Sequence, residues 1–168
     1  MRKHSNLVKI CWKYTPRRDS LALMFTGIIQ DIGTIRTVDK SGGDLRFEIA
    51  TKLDISNIED GASICCSGCC LTVVKKTNDS FFVDVSRESL DKTVLGHWEE
   101  GTKINLEPSL KLGDELGGHF VFGHVDAVTE IADIREEGGS HRLTIKTPES
   151  LKRFIASKGS VALDGISL

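Results

Sequence analysis

The chain is short of proline (three), tyrosine (one) and tryptophan (two), and it has no long apolar run. A membrane-spanning helix needs ~20 consecutive apolar residues, and no stretch approaches that, so no membrane association is expected. The basic N-terminal leader is followed by neither an apolar core nor a small-residue cleavage site, which argues against secretion. Positive charge is also missing where a nucleic-acid binder needs it. Residues 1–23 hold six basic groups and one acid, whereas the rest of the chain holds 16 basic and 23 acidic groups, a balance of −7. Phosphate contact requires a basic face, so no nucleic-acid partner is expected and a small-molecule ligand is.

What is present fits a soluble folded chain. The 168 residues suffice for one ordinary domain or two small ones, with 39% apolar and 27% charged residues. The 16 glycines fit many tight turns. Residues 1–23 read as a basic extension that is disordered or not translated, because strand patterning begins at Met24-Phe25.

Four of the five cysteines (Cys65, Cys66, Cys69, Cys70; the fifth is Cys11) lie within six residues and cannot staple distant parts of a fold. Free thiols in a reducing cytoplasm are the simplest reading. Cys66-Ser67-Gly68-Cys69 is a C-x-x-C, yet a structural zinc site needs four ligands and there is no second pair, so no metal is expected. A redox dithiol would need a βαβ context. Cys65, Cys66 and Cys69 read as small buried apolar residues.

Short strands separated by turns dominate. Ile28-Ile29, Ile32 and Ile35 outline a first strand region. Leu45 to Ile49 alternates, with Leu45, Phe47 and Ile49 on one face and Arg46 and Glu48 on the other. Phe81 to Val85 and Lys103 to Leu106 are further strands, and Ser67-Gly68 is a turn joining two more. After that turn Cys70, Thr72 and Val74 share one face, and Cys69, Leu71 and Val73 the other. Short helices are expected within Ser86–Leu95 and over Glu149–Ser157, which follows Pro148. Many strands and few helices indicate an all-β barrel or sandwich.

The chain also repeats itself. Phe25-Thr26-Gly27-Ile28-Ile29 lines up with Val121-Phe122-Gly123-His124-Val125 at an offset of 96, and residues 61–71 line up with 158–168 at an offset of 97. Two blocks in the same order indicate a duplicated unit of roughly a hundred residues, far above solenoid periods. The first copy is expected over 24–118. The second, over 119–168, is expected to be cut short. His124 stands where the first copy has Ile28, so the copies are expected to do different jobs. Glycines around His119 and His124 permit close approach of backbone to a ligand.

Met24-Phe25-Thr26-Gly27-Ile28-Ile29, Gly68-Cys69-Cys70-Leu71-Thr72-Val73, Gly117-Gly118-His119 with Gly123-His124-Val125, and Asp164-Gly165-Ile166-Ser167-Leu168 resemble riboflavin synthase. The resemblance implies an all-β fold of tandem Greek-key barrels, the second incomplete in this chain, and a homotrimer with no cofactor. It implies a transferase that moves a four-carbon unit between two molecules of 6,7-dimethyl-8-ribityllumazine. The products are riboflavin and 5-amino-6-ribitylamino-uracil. The first lumazine pocket is expected at Gly27, Ile28, Ile29, Cys70, Leu71 and Thr72 with the run Asp84, Val85, Ser86, Arg87, Glu88 and Ser89. The second is expected at Gly123, His124, Val125, Lys158, Asp164, Ser167 and Leu168. In this reading His124 transfers the proton, Cys70 and Ser63 supply or position a nucleophile, and Ser167 orients the second lumazine. The competing readings are a non-catalytic lumazine or flavin carrier of the same fold and a zinc-binding module built on the cysteines.

Overall fold

The computed structural model describes residues 7–11 (as backbone), 24–41 and 44–168; the side chains of Glu88 and Lys92 lie outside the described set. Its strands are β1 (Leu7–Cys11), β2 (Asp31–Asp39), β3 (Leu45–Ala50), β4 (Ser63–Cys66), β5 (Cys69–Lys76), β6 (Ser80–Val85), β7 (Lys103–Pro108), β8 (Ala127–Glu137), β9 (Ser140–Ile145), β10 (Ala162–Leu163) and β11 (Ile166–Ser167). Two short helices, α1 (Arg87–Lys92) and α2 (Glu149–Lys152), complete the set with two single 3-10 turns.

Strands β2 to β7 close into an antiparallel barrel in the order β2-β3-β6-β5-β4-β7, with β7 returning to β2. The hairpins β4–β5 and β5–β6 are consecutive, and β3 pairs with β6 from outside them, which makes a Greek key. Closure leaves no free strand edge. Alternation decides what fills the barrel. Phe47 and Ile49 are fully buried while Arg46 between its neighbours is exposed. They meet Phe81, Ile104 and Leu106 in one core, and Trp98 packs edge-on against Phe47 at 5.4 Å. Each such side chain contributes about 1.5–3 kcal/mol by leaving water.

The cysteine-rich hairpin follows its turn chemistry. Ser67 and Gly68 both take positive φ (44° and 86°), the requirement of a two-residue type I′ turn. Cys66 and Cys69 then sit opposite each other, and both belong to the barrel core, as do Leu71 and Val73. Thr72 and Val74 are exposed and Cys70 is half-buried, so the two faces of β5 are those the alternation indicates.

A second sheet has the order β11-β10-β1-β8-β9. Leu151 and Leu163 form its small core with Ile131, Ile145, Phe154 and Val161 packed around them.

Two expectations change. β2 begins at Asp31, after Ile28 and Ile29, because the preceding turn is tied to side chains: the Ile28 amide bonds Thr26 Oγ1 and the Gly27 amide bonds Glu107. α2 stops at Lys152 instead of reaching Ser157; the amides of Phe154 and Ile155 bond carbonyls three residues back, which tightens the chain out of the α-helix. Of the basic extension, read as disordered or not translated, Leu7–Cys11 is described and forms β1, where Val8 and Ile10 alternate with Lys9 in a strand-forming pattern. The rest of residues 1–23 lies outside the described residues.

Candidate functional site

The two halves meet through short contacts that come in pairs. Phe25 and Val121 exchange both backbone hydrogen bonds, at 2.8 and 2.9 Å. The Cys70 amide donates to the Gly123 carbonyl at 2.9 Å, and the Ser167 amide donates to the Gly27 carbonyl at 2.8 Å. Both glycines are buried at positive φ (73° and 77°), and a Cβ on either would fall 2.5–2.7 Å from the residue it faces. Only glycine allows backbone to approach backbone this closely. Gly68 and Gly165 lie against each other in the same way, with Phe25, Cys65, Val121 and Ala162 forming a small apolar cluster beside them.

On the outer face of the barrel, Ser63 lies directly across from Thr72 and Cys65 across from Cys70. The register of β5 on β6 at Val73↔Val83, both core residues, puts Thr72 on the same face as the exposed Asp84. This patch therefore shows the Thr72 hydroxyl and the Asp84 carboxylate at the surface, with the Cys70 thiol half-buried and Ser63 buried beside it. Burial pushes the Cys70 thiol above its ordinary pKa, partly offset by a hydrogen bond with Ser63. The thiol stays protonated near neutrality and acts there as a donor and packing group rather than as a thiolate. Cys65 is pushed further up by deeper burial and by the charge of Glu107. Asp84 is held below the usual carboxylate range by the Arg46 guanidinium, which grips it at 2.6 and 2.8 Å.

The other half of the junction holds a second patch. Ser167 Oγ lies 2.7 Å from His119 Nδ1, and the His119 amide donates to the Thr26 carbonyl at 3.0 Å. Partial burial lowers the His119 pKa, so the ring is neutral in ordinary buffers and can accept from or donate to the hydroxyl. Beneath both patches lies Glu107, 1% exposed. Its carboxylate accepts from the Thr26 amide and hydroxyl, both at 2.6 Å, and from the Gly27 amide at 2.9 Å. Three donors on one carboxylate fix the turn that carries Gly27.

Several expected site residues do not present their side chains here. Leu71 and Val85 are buried in the barrel core, because alternation turns them inward, so only their backbones can meet a ligand. His124, beside Gly123, is exposed, and so is Lys158, in a turn at φ 62°. Ser86 caps α1 through the Ser89 amide, Arg87 is exposed, and the Glu88 side chain lies outside the described residues. Ile29 and Val125 are half-buried and Leu168 is exposed, its backbone paired with Val161. The Asp164 carbonyl accepts from Asn105 Nδ2 at 3.0 Å, tying the second hairpin to the barrel. A cleft of about 590 Å³ opens beside Ile28 and Thr26, lined also by Leu53, Asn57, Glu107 and Lys111. Of the expected ligand residues only Ile28 lines it. Sequence reasoning missed Glu107 and, while naming His119 within a motif, gave it no site role. The available signals were an acid between Leu106 and Pro108 in a strand and the His after Gly117-Gly118.

The chain matches a family model, the lumazine binding domain, over residues 26–109 and again over 122–168. It is 53% identical over 150 residues to the riboflavin synthase of Brucella abortus, covering 86% of this chain and 74% of that one. It is 39% identical to the riboflavin synthase of Bacillus subtilis, covering 86% of this chain and 67% of the relative. Among solved structures it resembles LumP complexed with riboflavin, with a TM-score of 0.76 and 31% identity over 86% of this chain and 78% of the other. LumP complexed with 6,7-dimethyl-8-(1'-D-ribityl) lumazine gives a TM-score of 0.74 at 29% identity, with the same coverage.

Proposed function

The chain belongs to the riboflavin synthase family, and we propose that the two patches at its junction are paired lumazine sites for the dismutation of 6,7-dimethyl-8-ribityllumazine. One lumazine donates a four-carbon unit to the other, giving riboflavin and 5-amino-6-ribitylamino-uracil. The observation that carries the reading is the reciprocal exchange at the junction: Cys70 N to Gly123 O, and Ser167 N to Gly27 O. Cys70 and Ser167 lie 97 residues apart, and Gly27 and Gly123 lie 96 apart, so each contact is the other's counterpart under the sequence repeat. Residues 24–118 and 119–168 are in this reading two copies of one lumazine-binding unit, and each copy's site leans on the other copy's glycine.

Ser63, Cys70, Thr72, Asp84 and Ser86 offer polar partners to the first lumazine. Each buried polar group of such a ligand left unpaired costs about 1–3 kcal/mol, so a face rich in hydroxyls suits a ribityl chain and a pteridine edge. Ser167, fixed by His119, orients the second lumazine. Proton removal from the C7 methyl group falls to an imidazole: His124 is solvent-accessible and next to Gly123, and His119 is neutral and already aligned on Ser167. Stacking of the two rings supplies much of the acceleration by proximity. A homotrimer in which the first site of one subunit meets the second site of its neighbour gives the two rings their face-to-face approach. The free thiols suit the reducing cytoplasm.

The test is incubation of the purified chain with the lumazine as sole substrate. Riboflavin fluorescence rising as lumazine absorbance falls supports catalysis. Ligand quenching with no product over the same period overturns it in favour of a carrier.

A further inference from the structure

The four cysteines of the β4–β5 hairpin face one another in two pairs, Cys65 across from Cys70 and Cys66 across from Cys69. Opposed residues in an antiparallel ladder alternate between hydrogen-bonded and non-hydrogen-bonded pairs. Two backbone bonds show which is which. The Val73 amide donates across the hairpin to the Ala62 carbonyl, and the Cys70 amide donates away from β4, to Gly123. Counting along the ladder from the first bond makes Cys66–Cys69 a hydrogen-bonded pair and Cys65–Cys70 a non-hydrogen-bonded one. In pairs of the second kind the side chains are closest and the Cα atoms lie about 4.5 Å apart, within the roughly 4.4–6.8 Å that a disulfide spans. The surroundings differ as well. Cys66 and Cys69 are packed in the barrel core. Cys65 and Cys70 lie on the outer face in one small cluster with Phe25, Val121 and Ala162, where Cys65 is buried and Cys70 half-buried. All four are free thiols.

We propose that Cys65 and Cys70 are a reversible modification site, a cross-strand dithiol that peroxide closes to a disulfide and small thiols reopen. Peroxide reaches the half-buried Cys70 first: its thiol becomes a sulfenic acid and one water leaves. The Cys65 thiol then attacks that sulfur, the S–S bond forms and a second water leaves, so the peroxide takes two electrons in all. Cys65 needs no access to solvent, because its partner lies in the same cluster. Two small thiols such as glutathione return both cysteines to thiols and leave as their own disulfide. Both cysteines are held protonated near neutrality, so closure answers sustained oxidant rather than a brief pulse. Closure removes the Cys70 thiol proton and draws the sulfur that bonds Ser63 toward Cys65. The bond itself rests on register and burial alone; its effect on lumazine rests on the function proposed above.

Treatment of the native full chain with hydrogen peroxide tests it. Trypsin releases all four hairpin cysteines in one peptide, Leu53–Lys75. That peptide should lose two hydrogens, and glutathione should restore them. Alkylation of the oxidised, denatured chain should label Cys66 and Cys69 and spare Cys65 and Cys70, a result that needs no variant. Cys65→Ser is nearly isosteric. Reduced, it should bind lumazine as the native chain does; oxidised, it should form no disulfide and hold a Cys70 sulfenic acid that dimedone traps. Fluorescence titration should show lumazine bound about tenfold more weakly by the oxidised native chain, the worth of one lost hydrogen bond, with recovery on reduction. Label spared at Cys66 or Cys69, a disulfide found only between chains, or no disulfide in folded protein overturns the proposal. So does a disulfide that leaves lumazine affinity unchanged. A reduced native chain that binds no lumazine overturns the lumazine reading instead, and the mapped bond then decides the dithiol.

Discussion

The Cys70 amide and the Gly123 carbonyl, 2.9 Å apart, join the barrel to the second half of the chain at a point where no side chain can stand between them. A Cβ at Gly123 would lie 2.5 Å from Cys70 Cβ and 2.8 Å from its nitrogen. A junction built this way leaves no room for a side chain at Gly123 and ties Cys70 to the backbone of the other half.

Gly123→Ala is expected to combine left-handed strain with a clash against backbone that cannot yield, a loss of about 3 kcal/mol or more. Gly61, at φ 89° with nothing within 4 Å of its Cβ position, provides the comparison. Gly61→Ala should cost only about 1–2 kcal/mol from backbone conformation. Urea denaturation of the two variants checks the difference; equal losses would remove the role assigned to the junction contact.

Glu107→Gln keeps the shape of a buried side chain while replacing one acceptor oxygen by an NH2 that faces donors. Three hydrogen bonds from Thr26 and Gly27 depend on the carboxylate. The expected loss is about 2–4 kcal/mol, seen as a lower melting temperature. Lumazine affinity should fall as well in the fraction that remains folded, because Gly27 also holds Ser167. An unchanged melting temperature would show the carboxylate to be dispensable.

Cys69→Ala and Cys70→Ala separate the two faces of β5. Cys69 lies in the barrel core, so its truncation should cost about 1 kcal/mol of stability and leave ligand binding per folded molecule intact. Cys70→Ala should chiefly weaken lumazine binding or turnover. Fluorescence titration alongside thermal melts reads both effects, and identical behaviour of the two variants would undo the assignment of faces.

His119 gives stability a pH dependence of known sign. Burial lowers its folded-state pKa below the ordinary 6.5, so in the interval between the two values the unfolded chain binds more protons than the folded one. Stability contributed by this group is present above pH 6.5 and declines as the pH falls from 6.5 through the folded-state value. His119→Gln should flatten that part of a plot of denaturation midpoint against pH. A plot of the same slope in both proteins would place the titration elsewhere.

Local rules carried much of the fold. The alternation Leu45–Ile49, the Ser67-Gly68 turn and the two faces of β5 are set by the two-residue period of a strand and by turn chemistry, which act within a few residues and are written in them. The distant contacts that join the chain run from Phe25–Val121 to Gly68–Gly165. What the residues themselves did not disclose was partnership across the chain. Glu107 looks like one more acid in a strand until folding buries it under Thr26 and Gly27. His119 and His124 differ little on paper, and it is the fold that places His119 against Ser167. Leu7–Cys11, five residues inside a charged leader, pair with strands more than a hundred residues away. Hydrogen-bond donors and acceptors are present in every residue, so the sequence determines what each can offer; which one receives the offer, and at what burial, is decided only when the tertiary structure closes around it.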